Sequence, residues 1–281
     1  MNESDIKDFW NRNPCGDWQV GGLQQRSGDY EAFFSDYDKF RYTKEAHILK
    51  CLDAIDFKGK RVLEIGLGQG ADSEQMIRRG AKWSGLDLTP ESVERVKMRM
   101  MLRGLEYEDI KQGSALQNPY QDNSFDIVFS HGVLHHIPDV LKAQREIRRV
   151  LGPNGELIVM LYAKWSLNFL ISICIARRLG LLALYLTGRN VSGVYDQHLK
   201  NARRVGLFKY LRMSNFIHRN TDGPLNPYAK VYDSSMVKRD FPQFKIIRSY
   251  KRFMHAPPLP VTVLPFERLM GWHLWVHLRP K

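Results

Sequence analysis

Three glycines, Gly66, Gly68 and Gly70, stand in the run VLEIGLGQG, directly after a short apolar segment. Glycine lets a backbone turn tightly and approach a ligand with no side chain in the way. Asp87 closes the next apolar segment, and a carboxylate there can accept hydrogen bonds from both hydroxyls of a ribose. These features predict a site for a cofactor that contains a nucleoside, and a structural turn beside a surface acid is the alternative.

The spacing of the glycines and the position of Glu64 bear on which cofactor binds. The glycines follow the pattern G-x-G-x-G, whereas G-x-G-x-x-G is typical of dinucleotide sites. Glu64 places a carboxylate beside the turn, which repels a pyrophosphate and can orient an ammonium group. A nicotinamide oxidoreductase is therefore the least favoured class of enzyme.

Three histidines, His131, His135 and His136, follow a later apolar segment. His131 and His135 are four residues apart and could meet on one face of a helical turn. A neutral imidazole there could take a proton from a hydroxyl or amine, so we predict His131 and His135 as candidate catalytic bases. Packing beneath the cofactor is the alternative role. No metal site is predicted, because no acidic or thiol ligand stands at a matching spacing.

These residues stand in a segment where short apolar runs alternate with amphipathic ones. The apolar runs predict buried strands, and the amphipathic runs predict helices. The predicted strands are 61–66, 82–88, 124–130 and 155–162, and the predicted helices are 71–79, 90–103 and 140–150. Such an alternation is typical of an α/β fold with a doubly wound, mostly parallel sheet covered on both faces.

The remainder of the chain of 281 residues surrounds this core. Residues 1–58 predict a helical N-terminal cap, and residues 59–162 form the core. The alternation stops over 163–243, which we interpret as an insertion that caps the substrate, and it returns at 242–253 and 272–278. Residues 244–281 therefore supply the last two strands of the sheet.

Four motifs in register resemble those of the class I S-adenosylmethionine (SAM)-dependent methyltransferases: VLEIGLGQG, GLDL, NSFDIVFSHGVLHHI and RRVLGPNGELIVMLY. The resemblance covers about residues 60–162, and it is greatest to the small-molecule branch that includes quinone-ring and natural-product enzymes. It implies a Rossmann-like sheet of seven strands, SAM as cofactor and S-adenosylhomocysteine as product. The implied reaction is methyl transfer to O, N or C of a small aromatic or prenylated molecule, such as a secondary metabolite or a quinone-like compound.

The same resemblance assigns roles to the cofactor residues. Glu64 and the three glycines would surround the methionine part and the adenosine edge of SAM. Asp87 would hold the ribose hydroxyls, and Leu88 would flank the adenine. Ser130 and His131 would contact the methionine moiety.

The adenine contact is the point at which this sequence departs from the family. The family often has an acidic residue before an alanine, which accepts a hydrogen bond from the adenine amino group. Here the pair is Ser114 and Ala115. The resemblance therefore implies that Ser114 accepts this hydrogen bond as a neutral group.

Recognition of the methyl acceptor, the expected small-molecule partner, should come from outside the core. Aromatic side chains supply surface for a flat or greasy substrate. We predict substrate contacts from Tyr37, Tyr42, Tyr162, Tyr195 and Tyr228. Packing in the core is the alternative for each of them.

Residues 165–187 hold the most apolar stretch of the chain, and Arg177 and Arg178 divide it. A membrane-spanning helix needs about 18 or more apolar residues, so we expect no span here. Three interpretations stay open: a lid over the site, a contact in a homo-oligomer, and a segment lying on a membrane surface.

The net charge of +12 is unevenly distributed, because residues 163–281 carry 20 Lys and Arg against 5 Asp and Glu. This excess could attract an anionic acceptor, lipid headgroups or RNA, and a solvated basic face is the alternative. An RNA methyltransferase and a non-catalytic SAM-binding partner subunit are the competing functions. Nucleic acid is the less favoured partner, because the sequence shows no RNA-binding module.

The three cysteines, Cys15, Cys51 and Cys174, are scattered and odd in number. This pattern argues against a disulfide framework and predicts a reducing compartment. The N-terminal residues have neither an apolar core nor a basic leader, so we expect no signal peptide and a cytoplasmic protein.

Overall fold

A computed structural model describes residues 2–23 and 27–281, and its centre is one β-sheet. The strands are β1 (Arg61–Ile65), β2 (Lys82–Asp87), β3 (Asp109–Gln112), β4 (Phe125–His131), β5 (Leu151–Ala163), β6 (Val231–Tyr232), β7 (Phe244–Arg252) and β8 (His273–Pro280). Their order is β3-β2-β1-β4-β5-β8-β7, and β6 pairs with β5 beside this path. Only β8 runs antiparallel to both of its neighbours, β5 and β7. The predicted α/β fold with a mostly parallel sheet is therefore confirmed.

Three helices alternate with the first strands and cover both faces of the sheet. They are α5 (Ala71–Arg78), α6 (Pro90–Leu102) and α7 (Val140–Val150). Neighbouring residues of β1 point to opposite faces, so Val62 packs in the core beneath α5 and α6, and Leu63 packs in the core beneath α7. This near-continuous burial is the reason that the strands read as apolar runs in the sequence.

The strands and helices predicted for the core are all present, and two further strands were not predicted. β3 is a four-residue edge strand with the polar sequence DIKQ, which lacks the apolar run that identifies a buried strand. β6 lies within the predicted insertion, where Val231 and Tyr232 pair with Tyr162 and Ala163 of β5. The insertion therefore returns to the sheet before the last two strands begin.

The N-terminal residues form helices α1 (Glu3–Arg12), α2 (Asp17–Val20), α3 (Tyr30–Lys44) and α4 (His47–Asp53). Arg99 of α6 fastens α3 to the glycine-rich turn. Its buried guanidinium donates to Asp38 of α3, to Glu74 of α5 and to the backbone carbonyl of Gln69. The cap is therefore held beside the carboxyl ends of β1 and β2.

The insertion begins with one continuous helix at 168–187, which includes the two arginines that divide its apolar sequence. A π-helical segment, Asn168–Ala176, continues into α8 (Arg177–Thr187). The guanidinium of Arg177 donates to the carbonyls of Pro257 and Asn220 at 3.0 and 2.6 Å, so this charge is held against the protein. By length and composition alone this helix could cross a membrane, and little of it is buried.

Five short helices complete the described structure. They are α9 (Val194–Val205), α10 (Leu207–Leu211), α11 (Met213–Arg219), α12 (Ser234–Asp240) and α13 (Glu267–Met270). The loop between α11 and β6 carries Asp222, and it folds back against the residues that follow β4.

Candidate active site

A cavity of about 480 Å³ lies where β1, β2 and β4 end, between the sheet and the N-terminal cap. In a doubly wound sheet, ligands bind at the carboxyl ends of the strands. Many of the predicted site residues line this one cavity: Glu64, Gly66, Gly68, Asp87, Leu88, Ala115, His131, Tyr37 and Tyr162. The structure therefore brings the predicted cofactor residues together with two of the predicted acceptor residues.

The glycine-rich turn needs glycine at Gly66 for two reasons. Its φ of +83° lies in the left-handed region, which side chains disfavour. A Cβ at this position would also stand 2.2 Å from a methyl group of Val133. Any larger residue would therefore displace the chain from the wall of the cavity.

Asp87 is held by the turn that it faces. One carboxylate oxygen accepts from the backbone N–H of Leu67 at 2.7 Å, and the other accepts from the backbone and side chain of Thr89, both at 2.8 Å. Burial raises the pKa of Asp87, and these hydrogen bonds oppose that rise. The carboxylate is thus fixed in position at the end of β2, where the resemblance places the ribose.

Glu64 is buried at the floor of the cavity, where it accepts from Ser73 Oγ at 2.5 Å and Trp83 Nε1 at 3.0 Å. Burial raises the pKa of Glu64 to about 8, and the hydrogen bonds from Ser73 and Trp83 only partly oppose this. An ammonium group brought into the cavity would favour the charged carboxylate. Glu64 is therefore placed to respond to a cationic ligand.

Three of the predicted cofactor residues do not line the cavity: Gly70, Ser114 and Ser130. Ser130 is buried within β4, and its hydroxyl donates to the carbonyl of Ile65 at 3.0 Å. The hydroxyl of Ser114 donates to the carboxylate of Glu3 and accepts from the N–H of Leu116 at 2.9 Å. Glu3, unlike Ser114, does line the cavity.

His131, a candidate base, is engaged in an ionic cluster. Its Nδ1 lies 2.6 Å from Asp72 Oδ2 and 3.0 Å from Arg41 Nη2, and Arg41 also pairs with Asp72 at 2.6 Å. Burial alone would raise the pKa of Asp72, but Arg41 and His131 outweigh burial and hold it well below its usual range. His131 therefore lines the cavity with Nδ1 already committed to this cluster.

His135, the other candidate base, does not line the cavity and has no exposed surface. Burial lowers the pKa of His135 well below its usual range, so its imidazole is neutral. His136 does line the cavity. Its Nδ1 lies 2.7 Å from the carbonyl of Tyr228, and its Nε2 lies 3.3 Å from Asp222 Oδ2.

Of the five predicted acceptor tyrosines, three do not line the cavity: Tyr42, Tyr195 and Tyr228. The Tyr42 hydroxyl donates to Asp72 at 3.2 Å, and Tyr195 is exposed on α9. Tyr228 reaches the site only through its backbone carbonyl, and its ring stacks on His218. Tyr162 does face the cavity, and its hydroxyl donates to Asp222 at 2.7 Å.

The sequence did not single out Glu3, Arg41, Asp72 or Asp222 as site residues. All four line the cavity, but none stands beside a glycine-rich or histidine motif in the sequence except Asp72, which opens α5 just after the turn. Position within the first turn of that helix was the one signal that could have identified Asp72.

The core of the chain is similar to known proteins. Residues 63–159 match a family model described as a methyltransferase domain. This part of the chain is therefore a methyltransferase domain, and the match supports SAM as its cofactor, as the sequence predicted.

Two curated relatives and one solved structure are similar to the chain. It is 26% identical over 194 residues to chloroplastic tocopherol O-methyltransferase of Arabidopsis thaliana, which covers 60% of this chain and 56% of the relative. It is 36% identical over 102 residues to a probable phthiotriol/phenolphthiotriol dimycocerosates methyltransferase of Mycobacterium ulcerans, which covers 36% of this chain and 38% of the relative. The chain thus spans about half or less of the length of these relatives.

The PH0226 protein of Pyrococcus horikoshii has a similar structure, with a TM-score of 0.53 at 16% identity. The alignment covers 88% of this chain and 92% of that chain. At this identity the likeness shows a shared fold, which extends well beyond the matched domain.

Proposed function

We propose that this protein is an enzyme that transfers a methyl group from SAM to a small, largely apolar acceptor. The observation that carries the proposal is the cavity itself. One end is lined by Asp87, Leu88 and the glycine-rich turn, and the other end is lined by Tyr162, His136 and Asp222. A donor and an acceptor can therefore occupy one cavity.

Methyl transfer mainly requires that the acceptor atom is aligned with the methyl group, because the sulfonium of SAM is already activated. An enzyme that holds the attacking atom in line with the methyl group and excludes water supplies most of what is needed. The buried strands, the helical cap and the aromatic walls of this cavity meet those requirements. Two relatives named for small-molecule acceptors, tocopherol and phthiotriol dimycocerosates, support the same class of substrate.

The direct test is binding followed by turnover. We expect S-adenosylhomocysteine to bind the purified chain with micromolar affinity in a calorimeter and NADH, the comparison ligand, to give no heat. Methyl transfer from isotopically labelled SAM should then be screened against prenylated aromatic compounds and other small apolar alcohols and phenols. Binding of NADH without binding of S-adenosylhomocysteine would refute the proposal.

A further inference from the structure

Two histidines and one carboxylate converge beside the acceptor end of the cavity. Ligand atoms of His135, His136 and Asp222 all lie within 4.8 Å of one another. His135 and His136 are buried, and Asp222 is half-buried. The three belong to two distant parts of the chain, which explains why local spacing in the sequence predicted no metal site.

The hydrogen bonds of His136 leave two acceptor atoms facing each other. A carbonyl oxygen only accepts, so Nδ1 of His136 must carry the proton that bonds to Tyr228. In the neutral ring, Nε2 then points a lone pair at Asp222 Oδ2, 3.3 Å away. Two lone pairs at this distance repel each other unless a cation lies between them.

The distance between His136 Nε2 and Asp222 Oδ2 indicates whether a proton or a metal ion lies between them. A charge-assisted N–H···O bond, which a proton on Nε2 would make, is typically about 2.7–2.9 Å long. Two ligands of one tetrahedral Zn²⁺, each bound at about 2.0–2.2 Å, stand about 3.3–3.6 Å apart. The observed 3.3 Å therefore matches a shared metal ion better than a shared proton.

His135 gives an independent indication. Among residues 2–23 and 27–281, neither of its ring nitrogens has a hydrogen-bond partner, although the ring is fully buried. A buried polar atom without a partner costs about 1–3 kcal/mol. A proton shared by His136 and Asp222 would leave both nitrogens of His135 unsatisfied, whereas a metal ion would take one of them as a ligand.

We propose that His135, His136 and Asp222 form a binding site for a divalent transition metal, with Zn²⁺ as the reference ion. The residues around the ligands have the contacts that metal sites use to orient them. The carbonyl of Tyr228 fixes the tautomer of His136, and the hydroxyl of Tyr162 holds the second oxygen of Asp222. Three protein ligands leave an open coordination position.

The open position gives the metal a role that rests on the proposed function. His136 and Asp222 line the cavity, so an acceptor hydroxyl could bind a metal held between them. A divalent metal lowers the pKa of a bound hydroxyl and so favours the anion that attacks the methyl group. The metal site is inferred from the geometry of its three ligands, and it does not depend on this role in the reaction.

The test measures metal content directly. The full chain, stripped with a chelator, is dialysed against Zn²⁺, and bound metal is counted by mass spectrometry. We expect one equivalent in the wild type, a rise in melting temperature with Zn²⁺, and at least about tenfold weaker binding in Asp222→Asn and His136→Gln. Glu156→Gln is the matched control, because Glu156 pairs with a single histidine, His277, and should leave Zn²⁺ binding unchanged.

One further variant and one parallel measurement complete the test. Cys15→Ser removes the thiol that lines the same cavity and should retain the metal. S-adenosylhomocysteine binding on the same samples reports separately on folding and on the proposed function. No Zn²⁺ bound at micromolar concentration, or equal binding by wild type and Asp222→Asn, would overturn the metal site.

A second inference rests on the surface of the helix at 168–187. Large apolar side chains recur at intervals of four, four and seven residues, which places them on one stripe of the helix. They are Ile171, Ile175, Leu179 and Leu186, and all four are exposed, Leu186 by 73%. Ile173 and Leu181, on the other side, are buried against the protein.

Other apolar groups extend the stripe at the start of the helix. The ammonium of Lys251 donates to the backbone carbonyls of both Trp165 and Leu269, so the backbones of these two residues lie close together, and both side chains are exposed. Phe266 and Val263, just before helix α13 and its residue Leu269, are exposed as well. We define the apolar surface as the helix stripe together with Trp165 and residues 263–269.

The charge near this surface indicates what covers it. Residues 163–195 contain four Lys and Arg and no Asp or Glu, and residues 263–269 add one Arg and one Glu, so the excess charge is positive. Lys164 lies over the ring of Trp165 at 5.2 Å, and Arg189 is exposed just beyond the helix. A second copy of the chain would bring like charges together, whereas an anionic bilayer offers both an apolar interior and opposite charge.

We infer that the apolar surface docks on an anionic membrane, with the helix lying in the interface rather than crossing it. Crossing would require Arg177 to leave the carbonyls of Pro257 and Asn220 and would expose the buried side of the helix. A helix that lies in the headgroup region buries its exposed apolar stripe in the bilayer. The contacts of Arg177 and the buried side of the helix then stay as they are.

Vesicle flotation tests this inference. We expect the full chain to float with phosphatidylglycerol–phosphatidylcholine vesicles at low salt, less so at high salt, and poorly with phosphatidylcholine alone. Leu179→Asp/Leu186→Asp should abolish flotation. Met101→Asp/Leu102→Asp, which adds the same charge to exposed positions of α6, should not. No flotation of the wild type would overturn the inference, and so would self-association that the first double variant removes in its place.

Discussion

The hydroxyl of Ser114 donates a hydrogen bond to the carboxylate of Glu3, and this bond ties the end of β3 to the first helix of the cap. Glu3 lines the cavity beside Ala115, whereas Ser114 does not. The resemblance leads us to expect an acidic residue just before this alanine, and Glu3 of the cap places a carboxylate at that position in space.

The first prediction follows from that contact. Glu3→Ala should weaken S-adenosylhomocysteine binding by about 1–2 kcal/mol, because the adenine amino group loses a charged acceptor. Calorimetry measures the change. Asp8→Ala, on the same helix but away from the cavity, is the control and should bind as the wild type does. Equal affinity in the Glu3 variant would place the adenine elsewhere.

Asp87→Ala should weaken the same ligand by about 1–3 kcal/mol. The substitution removes the ribose acceptor and also releases the N–H of Leu67, which shapes the glycine-rich turn. Calorimetry measures the affinity of the variant for S-adenosylhomocysteine, and thermal melting shows that the variant is folded. Asp109→Ala, at a half-exposed ion pair on β3, controls for loss of a carboxylate from the sheet. Unchanged affinity for the Asp87 variant would show that the ribose binds at another group.

The raised pKa of Glu64 predicts a pH-dependent stability. The folded value of about 8 lies above the unfolded value of 4.5, so the contribution of Glu64 is complete below pH 4.5 and is lost as the pH rises towards 8. Glu64→Gln should therefore gain stability relative to the wild type as the pH increases over this range. Urea unfolding at pH 5, 6.5 and 8 tests this. Glu94→Gln, at an exposed position of α6, should show no such trend, and parallel curves for Glu64→Gln would contradict the prediction.

Cofactor binding should also reveal the charge of Glu64. Near pH 7 the free protein holds Glu64 largely protonated, and a ligand ammonium favours the carboxylate. Binding of S-adenosylhomocysteine should then release a proton, and the observed enthalpy should depend on the ionisation enthalpy of the buffer. The Glu64→Gln variant should lose that dependence, and a wild type without it would argue that the ammonium lies away from Glu64.

Asp72→Asn should destabilise the protein by about 3 kcal/mol near neutral pH, because it leaves the buried charge of Arg41 poorly compensated. The surface pair of Arg61 and Asp126 provides the contrast, since Asp126→Asn should cost less than about 1 kcal/mol. The pKa of Asp72 is depressed on folding, so the contribution of Asp72 is lost as the pH falls below about 3.8. Urea unfolding of both variants measures the difference, and similar costs for the two would refute it.

The core could be predicted from the sequence because burial on both faces leaves a plain signal. The strands β1, β2, β4 and β5 are buried over most of their length, and Gly66 and Asp87 stand at the ends of β1 and β2. β3 was not predicted, because a short polar edge strand has no run of apolar residues to identify it.

The acceptor side of the site could not be predicted in the same way. Asp222 meets His136 only because its loop folds back over the end of β4, and Glu3 meets Ser114 only through the packing of the cap. Neither contact leaves a local spacing to recognise. The partners of Arg177 were equally hidden, because the carbonyls that accept from it come from distant loops.

Helix α1 touches both ends of the cavity. Glu3 lies beside Ala115, where we expect the adenine, and the ring of Trp10 packs edge-on against His136 at 5.2 Å, where we expect the acceptor. The helix buries only Ile6 and Phe9, so lifting it would expose little apolar surface. Movement of this one helix would then open a common exit for S-adenosylhomocysteine and the methylated product.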